Sequence, residues 1–297
     1  MNNKSEILRE LIKQKGAHIA PTIYDCIGAI AAQKTGFDYV FTSGFGISAS
    51  QLGKPDYGYL SGSEVIATIS RLNSCTNLPI IADIDTGYGN PLNVIDTVEK
   101  IINTGAAGII LEDQEWPKRC GHFEGKTVIT KAEQIQKIKA AKLAAKDSGL
   151  VIIARTDARA KLGLSEAIKR GDAYLEAGAD VLFIEAPESR QELQEIANYF
   201  KGVTLMANII KGGKTPNLSA KELEGMGYKL IVFALSNLLA VSKTMLDTMA
   251  EIKTGTNTKI NNDFAFADFQ EFINIKKYQN LEKRFISSGK TQKRDIT

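Results

Sequence analysis

Asn103-Thr104-Gly105-Ala106-Ala107-Gly108-Ile109-Ile110-Leu111-Glu112 and Leu175-Glu176-Ala177-Gly178-Ala179-Asp180-Val181-Leu182-Phe183-Ile184-Glu185 carry one pattern twice. A helical stretch stops near a glycine, one or two small residues follow, and an apolar run ends on a glutamate. That is how a helix closes onto the next strand of a parallel sheet. Besides Gly108–Glu112 and Val181–Glu185, strands are expected at His18–Thr22, Tyr39–Ser43, Pro79–Asp83, Leu150–Arg155, Val203–Asn208 and Lys229–Ala234. Several are apolar almost throughout, as parallel strands covered on both faces must be. Helical periodicity falls between them at Asn93–Asn103, Lys131–Lys146, Ser165–Ala177 and Ser189–Tyr199, with Ser165 expected as an N-cap. About eight such units in one chain predict an α/β fold, a (β/α)8 TIM barrel, for which roughly 250 residues is typical. An open doubly wound sheet usually needs fewer strands, and no G-x-G-x-x-G turn follows the first strand.

The 297 residues are read as one barrel domain. A helix over Lys4–Lys15 precedes the barrel; a helical extension over about 254–297 follows it, with a polar linker at Thr254–Asn262 and helix over Ala267–Phe285. Hydrophobic residues make up 43% and charged residues 24%, which excludes wholesale disorder. Lys and Arg number 37 against 34 Asp and Glu, so no nucleic-acid or membrane footprint is present. The first residues lack a signal-like apolar region, and Cys26, Cys75 and Cys120 are too few and scattered for a disulfide framework. A cytoplasmic enzyme is expected. Cys26 and Cys75 read as buried structural thiols, since free cysteine is usually buried.

Barrel chemistry sits at the C-terminal ends of the strands. Those ends carry Ser43-Gly44, Asp83-Ile84-Asp85, Glu112-Asp113, Arg155-Thr156-Asp157, Glu185 and Asn208. Asp83 and Asp85 are two apart on a strand and so expected on one face. With Glu112 on the adjacent strand they suit a hard divalent ion such as Mg²⁺ keeping several waters. For a lone Asp the simpler reading is a solvated loop start or a helix cap; for the set, metal is the better reading. Trp116-Pro117-Lys118-Arg119-Cys120-Gly121-His122 places a thiol among cations and an imidazole, which is expected to lower its pKa. A Cys–His zinc site competes with this reading, but with two His and three Cys a full ligand set is hard to assemble. His18 reads as structural and Trp116 as a loop anchor.

Lys118-Arg119-Cys120-Gly121-His122 resembles the signature loop of the lyase branch of the isocitrate lyase/phosphoenolpyruvate mutase superfamily. Gly53–Gly58, Asp83–Gly89, Ala154–Ala158, Glu185–Pro187 and Lys214–Pro216 continue the resemblance in order. It implies a Mg²⁺-dependent (or Mn²⁺-dependent) barrel acting on a small carboxylate through an enolate-like intermediate. It also implies a homotetramer exchanging a C-terminal helix. Carried over, Asp83 holds the metal directly, while Asp56, Asp85 and Glu112 hold metal-bound waters. Ser43, the backbone at Gly44 and Phe45, Asp85, Arg155, Asn208 and Thr215 bind substrate. Cys120 is the acid that quenches the carbanion, and Lys118, His122, Arg155 and Glu185 complete the catalytic set. The resemblance favours cleavage of a 2,3-dimethylmalate-like or 2-methylisocitrate substrate to pyruvate plus a carboxylic acid. Oxaloacetate cleavage, phosphonate chemistry of the mutase kind and a non-catalytic metabolite-binding barrel are the alternatives. Two departures bear on substrate. Lys211 stands where methylisocitrate lyases usually carry Glu, and Phe269 falls where they carry an Arg for an extra carboxylate.

Overall fold

A computed structural model describes residues 3–256 and 264–289. Eight parallel strands run as β1 (His18–Ile23), β2 (Val40–Thr42), β3 (Ile80–Asp83), β4 (Gly108–Glu112), β5 (Val151–Thr156), β6 (Val181–Ile184), β7 (Met206–Ile209) and β8 (Leu230–Phe233). Neighbours in sequence pair throughout, and β1 pairs with β8. Between β6 and β7 closure rests on a single parallel bridge, Leu182 to Leu205, with the Leu182 N–H donating to the Thr204 carbonyl. The fold is the expected TIM barrel.

The helices are α1 (Lys4–Lys13), α2 (Cys26–Lys34), α3 (Gly44–Leu52), α4 (Gly62–Cys75), α5 (Pro91–Thr104), α6 (Lys131–Ala145), α7 (Arg159–Leu162), α8 (Leu164–Glu176), α9 (Arg190–Tyr199), α10 (Ala220–Met226), α11 (Ser236–Ile252), α12 (Phe266–Phe272) and α13 (Ile275–Gly289). Gly105 caps α5 in the left-handed conformation, as the opening pattern requires. Ser165 is not an N-cap. The cap of α8 is Gly163, at φ 84°, with no side-chain bond, and Ser165 lies inside the first turn. Leu8 and Leu11 of α1 join the cluster that fills the barrel, and Arg9 donates to the Gly149 carbonyl (2.7 Å) and pairs with Asp180 (3.1 Å). The helix therefore packs against the start of β5.

Cys26 and Cys75 depart from the buried reading. Both are half-buried at helix ends, and both thiols reach the Arg71 carbonyl (3.7 and 3.2 Å). The chain divides into two compact units, residues 1–239 and 240–297. Within the second, Phe269 stacks on Phe272 and meets Phe264 edge-on; most of the linker reading at 254–262 lies outside the described residues. Among the described residues no helix is long and apolar enough to cross a membrane.

Candidate active site

Strand alternation builds the site. Ala20, Phe41, Ile81, Ile110, Ile153, Phe183, Met206 and Val232 share one buried cluster inside the barrel. Two residues further along each strand come Thr22, Ser43, Asp83, Glu112, Arg155, Glu185, Asn208 and Ala234. A period of two keeps them on the same inward face, so the polar residues succeed the apolar plug at the C-terminal rim. All but Glu112 line one pocket, together with Gly44, Phe45, Asp56, Lys118, Cys120 and His122. Glu112 lies fully buried against Arg155 (3.3 Å). Asp85 lines an adjoining pocket with Asp56 and Asp83. Thr215 is buried but lines neither, and Lys211 is exposed.

Asp85 reaches the site by another route than expected. β3 ends at Asp83, and Asp85 is turned by a φ of 51° so that its N–H donates to Asp83 Oδ1 (3.1 Å). Lys118 Nζ lies 2.6 Å from Asp85 Oδ1 and 2.7 Å from Asp56 Oδ1. Burial opposes its charge, but Asp85 and Asp56 outweigh that and hold the ammonium protonated. Gly44 opens α3 against this group: a Cβ there would sit 3.2 Å from Asp83 Oδ2 and 3.3 Å from Lys118 Nζ. The first N–H groups of α3 thereby approach the pocket, and a helix leaves such groups free for an anion. Ser43 Oγ caps α3, accepting from the Gly46 N–H (3.0 Å), and keeps its own proton on a residue that lines the pocket.

Arg155 is clamped by Asp157, Nε to Oδ2 at 2.9 Å and Nη2 to Oδ1 at 3.0 Å. Burial would raise the Asp157 pKa, but Arg155 and Lys126 hold it well below the usual range. His122 Nδ1 accepts from the Lys214 N–H (3.0 Å), which assigns the ring proton to Nε2, 3.2 Å from Glu185 Oε1. Gly121 packs so closely on Glu185 and Arg155 that no Cβ fits.

Cys120 corrects a second expectation. Its thiol is pushed up to about 11, by burial first and by Asp56 and Glu185 after that, against the pull of the His122 N–H. Lys118 is neutralised by Asp56 and Asp85 before it can act on the sulfur, and Arg119 donates instead to the Glu124 carbonyl (3.1 Å). At neutral pH Cys120 is a thiol holding its proton. Trp116, edge-on to Tyr88 at 6.0 Å, anchors the loop entry. Asp157 and Lys126 bind the site together, yet neither was singled out in the sequence. Asp157 closes the Arg155-Thr156-Asp157 strand end; Lys126 left no signal, as one lysine in a polar loop.

The residues fit a hard cation. Burial, and then the Asp85 charge, push Asp83 up to about 6, burial pushes Glu112 well up, and Glu112 Oε1 is buried without a hydrogen-bond partner. A nearby cation relieves all three. Among the described residues no three Asp, Glu, His or Cys side chains form a metal cage. Mg²⁺ does not need one, because it usually takes one or two carboxylates and keeps its waters.

A family model described as phosphoenolpyruvate phosphomutase matches residues 8–253. The chain is 40% identical to the petal death protein of Dianthus caryophyllus over 281 residues, covering 94% of this chain and 88% of that one. It is 38% identical to the 2,3-dimethylmalate lyase of Eubacterium barkeri over 285 residues, covering 95% and 98%. The solved structure of oxaloacetate acetylhydrolase with 3,3-difluorooxalacetate superposes with a TM-score of 0.91 at 29% identity, covering 95% and 96%. That of phosphonopyruvate hydrolase with oxalate and Mg²⁺ does so at 0.85 and 27%, covering 96% and 99%.

Proposed function

The chain belongs to the isocitrate lyase/phosphoenolpyruvate mutase superfamily and is an enzyme of its lyase branch; on that premise we propose a Mg²⁺-dependent cleavage of a 2-hydroxy dicarboxylate to pyruvate and a second carboxylic acid. The observation that carries this reading is a half-buried, protonated thiol facing a pocket of carboxylates and Arg155. Asp83 would hold the ion directly, with Asp56, Asp85 and Glu112 on its waters. When bound, the ion would neutralise charge on the substrate's oxygens. Arg155, oriented by Asp157, binds a carboxylate. The N-terminus of α3 at Gly44 and Phe45 accepts developing negative charge. Asn208 Oδ1, buried and unpartnered, offers an acceptor to the substrate hydroxyl. As the hydroxyl gives up its proton to a base, its carbon becomes the pyruvate carbonyl and the carbon–carbon bond breaks. The electron pair stays on the departing acid as a carbanion, to which Cys120 Sγ gives a proton. Loop residues Lys118–His122 exclude water from that step.

Charge supports an alkylmalate over methylisocitrate. Lys118 is already paired with Asp56 and Asp85, and Arg155 with Asp157 and Glu112. A third buried carboxylate could not use Lys118 or Arg155 without displacing their partners, at a cost of several kcal/mol. Arg119, exposed at the pocket's edge and bonded to the Glu124 carbonyl, is the remaining cation of the lining. Lys211, the candidate partner for it, is exposed. Coupled detection of 2-oxo acid, with and without EDTA, tests the lyase reading, and activity untouched by metal removal overturns it. Relative kcat/KM for 2,3-dimethylmalate, 2-methylisocitrate and oxaloacetate tests the substrate. A preference for methylisocitrate would refute the charge argument, and oxaloacetate would place the chain beside oxaloacetate acetylhydrolase. A cytoplasmic homotetramer is part of the same proposal. The exposed Met245, Leu246, Met249 and Phe285 of the second unit support a partner copy, and light scattering after size exclusion measures it.

A further inference from the structure

Lys126 lies outside the residues assigned above, yet its side chain is 1% exposed. A lysine is almost never buried so fully unless it is paired. Its ammonium donates to the Gly121 carbonyl and to Asp157 Oδ1 (3.0 Å). The same Asp157 carboxylate clamps Arg155, and Gly121 is the residue directly after Cys120. One cation therefore ties the loop that carries the thiol to the group that orients the substrate-binding arginine. The rest of the loop is held elsewhere. Gln114 bonds Arg119 at 2.9 and 3.0 Å, and His122 is gripped by the Lys214 N–H and Glu185.

We propose that Lys126 is a positioning residue that seats Cys120 against Arg155 by holding the Gly121 carbonyl to Asp157. The thiol's role as acid rests on the lyase reading; its seating by Lys126 does not. Without the ammonium, Asp157 still has Arg155, so the arginine stays in place and substrate binding is kept. The Gly121 carbonyl, by contrast, loses its buried donor, and the loop lifts from its seat. Proton delivery suffers while affinity does not.

The test is peptide-resolved alkylation by iodoacetamide, with Cys26 and Cys75 as internal references in the same molecule. Lys126→Met is expected to raise the Cys120 rate about tenfold or more and to leave the reference rates unchanged. In steady-state assays kcat is expected to fall about 10- to 100-fold with KM within about threefold. Lys126→Arg, which keeps the charge and donors, recovers part of both. An unchanged Cys120 rate in a folded Lys126→Met protein overturns the proposal, as does a rise in KM with kcat intact. If Lys126→Met does not fold, Lys126→Gln keeps a neutral donor and must show the same two changes in smaller measure. If the wild-type chain cleaves no malate, the lyase reading falls and the alkylation rates still decide the seating.

Discussion

Glu112 and Asp113 are neighbours in sequence, both carboxylates and both buried, and they live in opposite worlds. Glu112 faces the barrel interior, where Arg155 lies 3.3 Å from one oxygen and the other has no hydrogen-bond partner. Asp113 faces the helices. Its Oδ2 accepts from Thr156 (2.7 Å), Tyr174 (2.8 Å) and Arg170 (2.9 Å), and its Oδ1 from the Asp157 N–H (2.8 Å). Burial is therefore no mark of function here; what separates these two neighbours is an unmet hydrogen-bonding capacity on the side of the pocket. The satisfied side holds β5 to α8 and positions Asp157, and through it Arg155. The unsatisfied side is left ready for substrate and cation.

This contrast predicts that damage on the pocket side costs rate and damage on the helix side costs stability. Cys120→Ser has the largest expected effect. It should lower kcat by about 10²–10⁴-fold, the range of a lost general acid, and leave Tm near wild type. Asp113→Ala reverses the pattern. It strands Arg170 without its buried partner and should cost about 3–5 kcal/mol in denaturant unfolding. A smaller loss would mean that the network is decoration around the barrel. Glu112→Gln is nearly isosteric and should stay within about 1 kcal/mol of wild-type stability while weakening the thermal stabilisation by Mg²⁺. A large loss of stability would erase the distinction between the two neighbours.

The smallest effect is a pH dependence. An aspartate in the unfolded chain titrates near about 4, whereas Asp83 in the fold is pushed up to about 6. Between those values the folded state binds the extra proton, so metal-free stability should fall as pH rises from about 4 to about 6. Mg²⁺ competes with that proton, so the rise in Tm on adding Mg²⁺ should grow over the same interval and shrink as pH falls below about 6. Thermal melts with Mg²⁺ and with EDTA across this range measure both slopes. A metal effect independent of pH would show that Asp83 is not where the ion binds.

Much of the barrel was open to reading from local pattern. Every expected strand is present, with ends shifted by a few residues, because an apolar run between glycine and a polar terminus is a local signal. The helix before the barrel and those after it were equally plain. Ser165 misled because a serine near a helix start resembles a cap, while the turn was made by Gly163. Cys26 and Cys75 are structural as read, packed against a core cluster, but only half-buried, because burial of a thiol depends on which helix end faces which neighbour.

The site divides in the same way. Strand parity and the order of motifs picked out Asp83, Glu112, Arg155, Glu185 and Asn208, since a period of two is written in the chain. Which charge meets which was not. Lys118 and Arg119 read in sequence as cations free to acidify Cys120; in the fold Lys118 is held by two carboxylates, Arg119 turns to the Glu124 carbonyl, and the thiol stays protonated. Lys126 and Asp157 meet across the gap between a loop and β5 that only closure of the barrel brings together. The sequence by itself determined the barrel and the rim residues, because periodicity and strand ends are properties of neighbouring positions. The tertiary structure alone decided protonation and pairing, because Coulomb interaction and desolvation depend on distances and burial between residues far apart in the chain.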